Sequence, residues 1–432
     1  MKSPLLITYY WPPSGGPGVQ RWLKFLKYFP ENNYKPYVIT VDPKYASYPI
    51  IDQSFLADVH PELKVFRTKT SEIYGIYKKI TGREEIPYSG FANEKKHGFA
   101  DAVFRIIRGN FFIPDPRKGW NKYAIEKAIS LIEQGDINCI ITTSPPHSSQ
   151  LIGLQLKHKT GLPWIADLRD PWTDIYYYKE LKRTGTAFRI DKGYEKRVLE
   201  TADQVVVVSE QIKHDLLKKS DNIRAGKIAV IPNGFDEQDF KSPSAPSKER
   251  FIVTYTGTLS EEYAIDGFLN ALSKITEVKQ ILYCIRFVGN MPEEMKDKIL
   301  KILPLGNVEF ISHVDHNEAI SYMLSSSALL LVIPKVNKNK GILTGKLFEY
   351  LASGKPIIGI GPDDGDAAAI INKCEAGKML LYNRIDEISD HLASLIKQWK
   401  QDPNIDINPV GRDAYSRRNL SQQYLKIIKS VC

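Results

Sequence analysis

Residues 328–361 read ALLLVIPKVNKNKGILTGKLFEYLASGKPIIGIG and hold two apolar runs, 328–333 and 356–360, on either side of a helical pattern. Both runs have the length of a strand, and Leu347 and Leu351 between them are spaced for one face of a helix. Two strands joined through a helix form a βαβ unit, in which the strands are parallel. This stretch therefore predicts an α/β protein.

The same alternation extends over most of the chain and breaks once, at a polar segment with two prolines, residues 241–249. Such a composition is typical of a linker, so two doubly wound, Rossmann-like domains are predicted, residues 1–240 and 250–405. A last helical stretch within residues 406–432 is expected to cross back to the first domain. The other strands are predicted at 5–9, 37–41, 139–142, 164–166, 204–208, 228–231, 251–255, 285–288 and 308–310.

The length of 432 residues, with 43% hydrophobic residues, suits two domains with real cores. The four cysteines, at 139, 284, 374 and 432, have neither close pairing nor metal-ligand spacing, which predicts reduced thiols and a cytoplasmic location. No apolar run approaches the roughly 20 residues that cross a bilayer. An integral membrane protein is therefore not expected.

The formal net charge is +9, and residues 1–120 contain 18 Lys and Arg against 11 Asp and Glu. A basic domain suits anionic lipid headgroups or phosphorylated substrates, and without a nucleic-acid-binding motif nucleic acid is not an expected partner. Residues 73–118 interrupt the α/β pattern with interleaved aromatic and basic side chains. They are either a helical insertion packed on the first domain or a face for the inner surface of an anionic membrane.

A glycine-rich turn, WPPSGGPG at 11–18, follows the first strand and precedes a helix. Gly15 and Gly16 allow backbone N–H groups to approach an anion at the helix N-terminus. A dinucleotide-binding fingerprint would require a third glycine where this chain has Arg21, which disfavours NAD binding. A purely structural turn remains an alternative.

Two further loops follow predicted strands, and ligands bind at that edge of parallel sheets. His147 lies in TTSPPHSS, residues 142–149, and could donate a hydrogen bond to a sugar hydroxyl or a phosphate. Asp170 lies in DLRDPWTD, residues 167–174, among other charged groups. Each also has a structural interpretation, His147 as a polar residue at a helix start and Asp170 as a turn former.

The loop before the helix of 345–353 is rich in lysine, and Thr344 is a suitable N-cap. Thr344, Gly345 and Lys346 would offer backbone amides and a cation to a diphosphate. Glu349, one turn further, is placed to accept hydrogen bonds from a ribose diol. The structural alternative for Lys346 and Glu349 is an ion pair on a solvated helix.

These segments, together with IPNGFD at 231–236 and YTGTL at 255–259, resemble the retaining GT-B glycosyltransferases of family 4, in particular those of bacterial surface-polysaccharide biosynthesis. The GT-B fold implies two Rossmann-like domains facing each other across a cleft. The resemblance implies transfer of a hexosyl or N-acetylhexosaminyl unit from a nucleotide diphosphate sugar, bound by the C-terminal domain. The acceptor, a lipid-linked or growing glycan, would be held by the N-terminal domain.

The resemblance and the local residue patterns together assign roles by residue. Catalytic roles go to His147, Asp170 and Lys346. Donor binding is assigned to the glycine turns and to the start of the helix at 345–353, through Gly15, Gly16, Gly257, Thr258, Thr344, Gly345, Lys346 and Glu349. No cofactor is expected, since the nucleotide diphosphate sugar is a co-substrate. No metal is expected either, because the DGD sequence at 364–366 is interpreted as a turn.

Two positions depart from the family pattern. Gly341 stands where the family has a glutamate, and Ser260 to Glu262 stand where it often has an arginine and a lysine. Two alternatives therefore remain. One is a sugar-nucleotide epimerase of the same architecture, and the other is an inactive binding subunit of an envelope-glycan assembly complex.

Overall fold

Two parallel β-sheets organise the chain in a computed structural model that describes residues 3–71, 106–240, 247–279 and 282–432. One compact unit comprises Met1–Pro232 and Arg418–Cys432, and the other comprises Asn233–Arg417. The predicted α/β class is confirmed. The linker residues 241–246 and residues 73–105 of the predicted insertion lie outside the described residues.

The first unit contains a seven-stranded sheet, in the order β3-β2-β1-β4-β5-β6-β7. Because all its pairings are parallel, the loops that follow the strands share one edge of the sheet. Its strands are β1 Pro4–Ile7, β2 Tyr37–Val41, β3 Lys64–Thr68, β4 Cys139–Ser144, β5 Trp164–Leu168, β6 Gln204–Val207 and β7 Ile228–Val230. Its helices are α1 Pro17–Leu26, α2 Asn121–Glu133, α3 Ser148–Thr160, α4 Gly185–Thr201 and α5 Glu210–Leu217.

The second unit repeats this plan with six parallel strands, in the order β10-β9-β8-β11-β12-β13. Its strands are β8 Phe251–Thr256, β9 Tyr283–Val288, β10 Val308–Ile311, β11 Ala328–Val332, β12 Ile357–Ile360 and β13 Gly377–Leu380. Its helices are α6 Asp266–Lys279, α7 Glu293–Leu300, α8 His316–Leu324, α9 Gly345–Ser353, α10 Asp366–Lys373 and α11 Ile385–Gln401. The last helix of the chain is α12, Arg417–Val431.

Helices cover both faces of each sheet, which explains the continuous apolar runs of the central strands. In the first unit, one face packs mainly against α2 and α3. The other packs against α1 and α12, where Tyr424 lies 4.8 Å from Trp22 between ring centroids. The C-terminal helix is thus part of the first unit's core.

Three features differ from the sequence-based expectations. Strands β3 and β13 were not predicted, because they are edge strands whose half-exposed or glycine-containing sequences lack an apolar run. The expectation of reduced thiols is wrong for Cys139 and Cys432, which form a disulfide across 293 residues of sequence. The spacing of the cysteines in the sequence could not reveal this bond, because it forms only when α12 packs next to β4.

In the part of the chain that the structure describes, none of the helices combines the length and the hydrophobicity needed to span a membrane.

Candidate functional site

Helix α9 begins at the edge of the second sheet where the strands end. Leu347 and Leu351 are buried, as their spacing predicts, and Gly354 ends the helix with a φ of 72°. Thr344 occupies the N-cap position with extended backbone, but its side chain does not cap the helix. Its hydroxyl oxygen is buried without a hydrogen-bond partner, and at Gly345 an added Cβ would meet nothing within 4 Å. The first turn of α9 therefore has room and unused donors for a ligand.

Lys346 extends from this first turn onto a tyrosine rather than into solvent. Its Nζ donates a hydrogen bond of 2.6 Å to the hydroxyl of Tyr255 and lies 4.2 Å from the centre of that ring. The Tyr255 hydroxyl in turn donates to the backbone carbonyl of Thr258, at 2.7 Å. Burial lowers the pKa of Lys346 to about 7, although the charge of Glu349 acts to raise it. The ion pair considered for Lys346 and Glu349 is therefore not formed.

Two glycines make space for this lysine. A Cβ at Gly257 would lie 2.6 Å from Cε of Lys346, and the backbone there has a φ of 96°. Gly289, after β9, has a φ of 133°, and a Cβ there would lie 2.6 Å from the carbonyl oxygen of Gly257. Both positions need glycine for conformation and for close approach. Gly289 was not among the predicted site residues.

Glu349 lies one turn further along α9 and is half-buried. Its Oε1 is 4.0 Å from Nδ1 of His316, and Nε2 of the same imidazole is 3.1 Å from Oδ2 of Asp239. Neither His316 nor Asp239 was predicted as a site residue. The IPNGFD stretch just before Asp239 points to this region of the sequence. It does not show which helix the Asp239 carboxylate contacts.

The lysine-rich loop before α9 is tied to its own surroundings. Lys340 forms an ion pair with Asp364, and Lys335 lies 5.7 Å from the ring centre of Tyr382. Asp364 belongs to the turn predicted at 364–366, and Asp366 is the first residue of α10. Among the described residues, no cluster of three or more His, Cys, Asp or Glu side chains has a geometry suited to a metal ion.

In the first unit, the predicted glycine turn leads into α1. Gly16 is the N-cap residue with a φ of 88°, and Gly15 donates a hydrogen bond to the carbonyl of Ile50. A Cβ at Gly15 would lie 2.8 Å from Cγ2 of Ile50, so the turn lies tightly against its neighbour. Beneath it, the Arg169 guanidinium donates to the carbonyl of Gly18 at 2.8 Å.

His147 is the residue before α3, and its ring stacks on Trp172 with centroids 4.8 Å apart and an interplanar angle of 11°. Burial, together with the charges of Arg183, Arg169 and Lys219, lowers its pKa to about 3. The imidazole is therefore neutral at physiological pH. Its Nδ1 is buried without a hydrogen-bond partner.

Asp170 follows β5 and is half-buried. Burial raises its pKa, while the charge of Arg169 opposes that rise. Asp167, in the same segment, is fully buried and accepts hydrogen bonds from Arg21, Trp22 and Thr143. The segment 167–174 thus contains a structural carboxylate, Asp167, and a second carboxylate near the edge of the sheet, Asp170. Arg21, which interrupts the dinucleotide fingerprint, is explained by its ion pair with Asp167.

Two protein-family models match consecutive parts of the chain. The model described as Glycosyltransferase Family 4 matches residues 87–239, and the one described as Glycosyl transferases group 1 matches residues 236–408. Together the two matches span residues 87–408, which include part of the first unit and most of the second, and the glycine-rich turn at 11–18 lies outside them. The chain belongs to glycosyltransferase family 4.

One curated relative is similar to part of this chain. TuaH of Bacillus subtilis, a protein assigned to teichuronic acid biosynthesis as a glycosyltransferase, is 24% identical over 181 residues. The match covers 40% of this chain and 43% of TuaH, so the similarity spans less than half of either protein.

Solved structures are similar over the whole chain. Sucrose-phosphate synthase from Thermosynechococcus elongatus has a TM-score of 0.62 at 16% identity, covering 100% of this chain and 99% of its own. HepE of Anabaena, solved in complex with UDP-glucose, has a TM-score of 0.62 at 13% identity, with 100% of both chains covered. At these identities the similarity concerns the fold, which is GT-B.

Proposed function

We propose that this chain transfers a sugar from a nucleotide diphosphate sugar to an acceptor in surface-glycan synthesis, with retention of anomeric configuration. The observation that carries the proposal is the arrangement at the start of α9. Lys346 lies across Gly257, and Thr344 presents a buried hydroxyl without a partner. A lysine and free amides at a helix N-terminus suit a diphosphate.

The donor's diphosphate would contact Lys346 and the amides of Thr344 and Gly345. Burial disfavours the positive charge of Lys346. A diphosphate bound there would restore that charge, because a nearby anion favours the ammonium form. The same charge then stabilises the leaving diphosphate as the glycosidic bond breaks. Glu349, one turn away, would accept hydrogen bonds from the ribose diol. Complexes with UDP-glucose, as in HepE, make UDP-sugars the first donors to test.

Gly16, His147 and Asp170 would contact the sugar and the acceptor, and Gly15 would hold the turn in place through the hydrogen bond from its N–H to the carbonyl of Ile50. His147 is neutral and has a free ring nitrogen, so it can exchange a hydrogen bond with a hydroxyl but carries no charge. Asp170 would orient the acceptor. Retention needs no enzyme nucleophile in this scheme, since the leaving phosphate takes the acceptor's proton on the face from which it departs. The protein supplies positioning and charge stabilisation.

The test combines binding with product analysis. UDP- and GDP-linked hexoses and N-acetylhexosamines are first screened for thermal stabilisation, because a ligand that binds the native state raises its stability. Transfer is then measured with glycan acceptors, and the anomeric configuration of the product is determined by NMR. Lys346→Met should abolish binding and transfer, while Lys335→Met, in the loop before α9, should preserve both. Inversion would contradict retention, and equal binding by Lys346→Met would remove the diphosphate assignment.

Gly341 and the residues Ser260 to Glu262 favour a second candidate, a binding subunit without catalysis. Lys340, the nearest cation to Gly341 in sequence, is engaged with Asp364. The same screen separates the candidates. Nucleotide-sugar binding without turnover on any acceptor would support the subunit, and a changed sugar configuration without acceptor would support an epimerase.

We also propose that the first unit associates with an anionic membrane, at its inner face. Helical residues 106–111 carry Phe111, which is 79% exposed, as well as exposed Ile106 and Ile107. Asn110 binds the carbonyl of Lys182 and the N–H of Thr184, which places these residues against the start of α4. The exposed side chains of α4 combine apolar and basic groups: Phe188, Arg189, Ile190, Lys192 and Lys196. This combination suits a headgroup interface.

Vesicle flotation tests this association. Vesicles with phosphatidylglycerol should carry the protein upward, whereas phosphatidylcholine vesicles should do so weakly, because the basic groups lack an anionic partner. Phe111→Ser should reduce flotation, and Leu305→Ser, at a position of the second unit that is 70% exposed, should not. If the protein floats with neither lipid, the proposal is overturned.

We propose that transfer requires no metal. The ion pair of Asp364 with Lys340 and the position of Asp366 at the start of α10 account for both carboxylates of the DGD sequence. Transfer should therefore persist in EDTA at the rate measured with Mg²⁺, and a loss of turnover in the chelator would contradict this.

A further inference from the structure

An imidazole of the second unit lies between two carboxylates that come from different elements. Asp239 belongs to a single turn at Glu237–Phe240, His316 is the first residue of α8, and Glu349 lies on α9. The Nε2 atom faces Asp239 at 3.1 Å and the Nδ1 atom faces Glu349 at 4.0 Å. Each ring nitrogen thus has one carboxylate.

The surroundings favour a proton on both nitrogens. Burial and the charge of Arg417 act to lower the pKa of His316, but the hydrogen bond with Asp239 and the charge of Glu349 prevail, and the pKa is raised. A cation at the N-terminus of a helix is otherwise unfavourable. On its own helix, His316 is flanked by Asp315, which caps α8, and by Glu318 in the first turn. The protonated His316 ring is therefore stabilised at this position by the nearby carboxylates.

The protonation state of His316 determines whether its ring attracts or repels the Glu349 carboxylate. With both nitrogens protonated, His316 donates toward Asp239 and attracts Oε1 of Glu349. With one proton, held on Nε2 by Asp239, the ring presents the Nδ1 lone pair to a carboxylate oxygen. The first state restrains Glu349, and the second repels it.

We propose that His316 is a positioning residue for Glu349: its protonated ring fixes one carboxylate oxygen so that the other is presented to the ribose diol of the bound nucleotide. The inference rests on the proposed function, in which Glu349 binds the ribose. Asp239 holds the proton on Nε2 and thereby links the Glu237–Phe240 turn to the nucleotide site. His316 itself touches no substrate.

The test isolates the ribose contribution. Affinities of UDP and of 2′,3′-dideoxy-UDP, and of the corresponding guanosine pair, are measured by calorimetry between pH 5.5 and 8.5. Lys346 also titrates in this range, but it acts on the diphosphate that both members of a pair share. The ratio of the two affinities therefore reports the diol alone.

In the wild type, the diphosphate with the diol should bind about tenfold more tightly at low pH, and this ratio should fall as His316 loses its proton. His316→Gln keeps a donor toward Asp239 but cannot titrate, so the ratio should be about three- to tenfold lower at low pH and independent of pH. Asp239→Asn should move the midpoint of the wild-type profile to lower pH. His313→Gln, an exposed histidine three residues earlier, should leave the profile unchanged.

The outcomes separate the two claims. If the wild type does not distinguish the dideoxy analogues, or if no diphosphate binds, the ribose assignment fails and this inference fails with it. If Glu349→Gln removes the discrimination but His316→Gln leaves the ratio and its pH profile intact, only the inference is overturned. An unmoved midpoint in Asp239→Asn, with the native thermal transition retained, also overturns it.

Discussion

The Nζ atom of Lys346 donates a 2.6 Å hydrogen bond to the hydroxyl of Tyr255, whose ring it also faces at 4.2 Å. Burial raises the pKa of Tyr255 well above its ordinary value, so the hydroxyl stays protonated and remains committed to the carbonyl of Thr258. Tyr255 therefore offers Lys346 an oxygen and a ring face but no negative charge. Tyr255 thus positions the lysine without pairing it with a negative charge, which leaves Lys346 available to an anion.

The first prediction concerns the pH dependence of nucleotide binding. Burial lowers the pKa of Lys346 to about 7 in the free protein, and a bound diphosphate raises it again. Above about pH 7 binding must therefore take up a proton, and the affinity for UDP should fall by up to tenfold per pH unit. Calorimetry in buffers of different ionisation enthalpy should detect this uptake. A flat affinity from pH 7 to 9 would contradict the assignment.

The second prediction concerns Gly257. In Gly257→Ala the new Cβ displaces Cε of Lys346 and places a non-glycine residue at a φ of 96°. We expect the free energy of unfolding to fall by about 1–3 kcal/mol. Nucleotide affinity should fall as well, because the lysine leaves its position. Gly306→Ala is the matched control, since a Cβ there meets nothing within 4 Å, and it should preserve both quantities.

Chemical denaturation and nucleotide binding check these two effects separately. A Gly257→Ala protein that unfolds earlier but binds UDP normally would show that the glycine serves the backbone alone.

The sequence predicted those parts of the fold that local pattern determines. Eleven strands carry apolar runs, and Leu347 with Leu351 revealed the buried face of α9. Strand β3 escaped because Lys64 and Arg67 at the sheet edge replace that pattern with charge. Strand β13 is short and begins with a glycine.

The candidate site divides in the same way. Lys346 and Glu349 are part of a recognisable local motif. His316, in contrast, joins Glu349 to Asp239 through tertiary packing of three elements, and no short spacing in the sequence reports such a meeting. The contact of Lys346 with Tyr255 also depends on folding, because it brings the start of α9 onto the end of β8.

The third prediction assigns Asp167 to stability rather than catalysis. Its carboxylate is fully buried and accepts from Arg21, Trp22 and Thr143. Asp167→Asn removes the buried carboxylate charge that pairs with the Arg21 guanidinium, so the free energy of unfolding should fall by about 3–5 kcal/mol. Urea denaturation measures this change.

Asp174, in the loop that follows β5, provides the comparison. It pairs with Lys219, which keeps buried Glu195 as a second partner when Asp174 is changed. Asp174→Asn should therefore cost no more than about 1 kcal/mol. Equal losses in the two variants would refute the distinction between a core carboxylate and a peripheral one.

The last prediction concerns His147. Its pKa of about 3 keeps the ring neutral, and its stacking on Trp172 is separable from its hydrogen bonding. His147→Phe preserves an aromatic ring against Trp172 but removes both nitrogens, so transfer should fall by about 10- to 100-fold with little change in thermal stability. His147→Ala should lose activity and stability together. In the wild type, kcat/KM should show no inflection from this residue between pH 5 and 9. An active His147→Phe enzyme would reduce the histidine to a packing role.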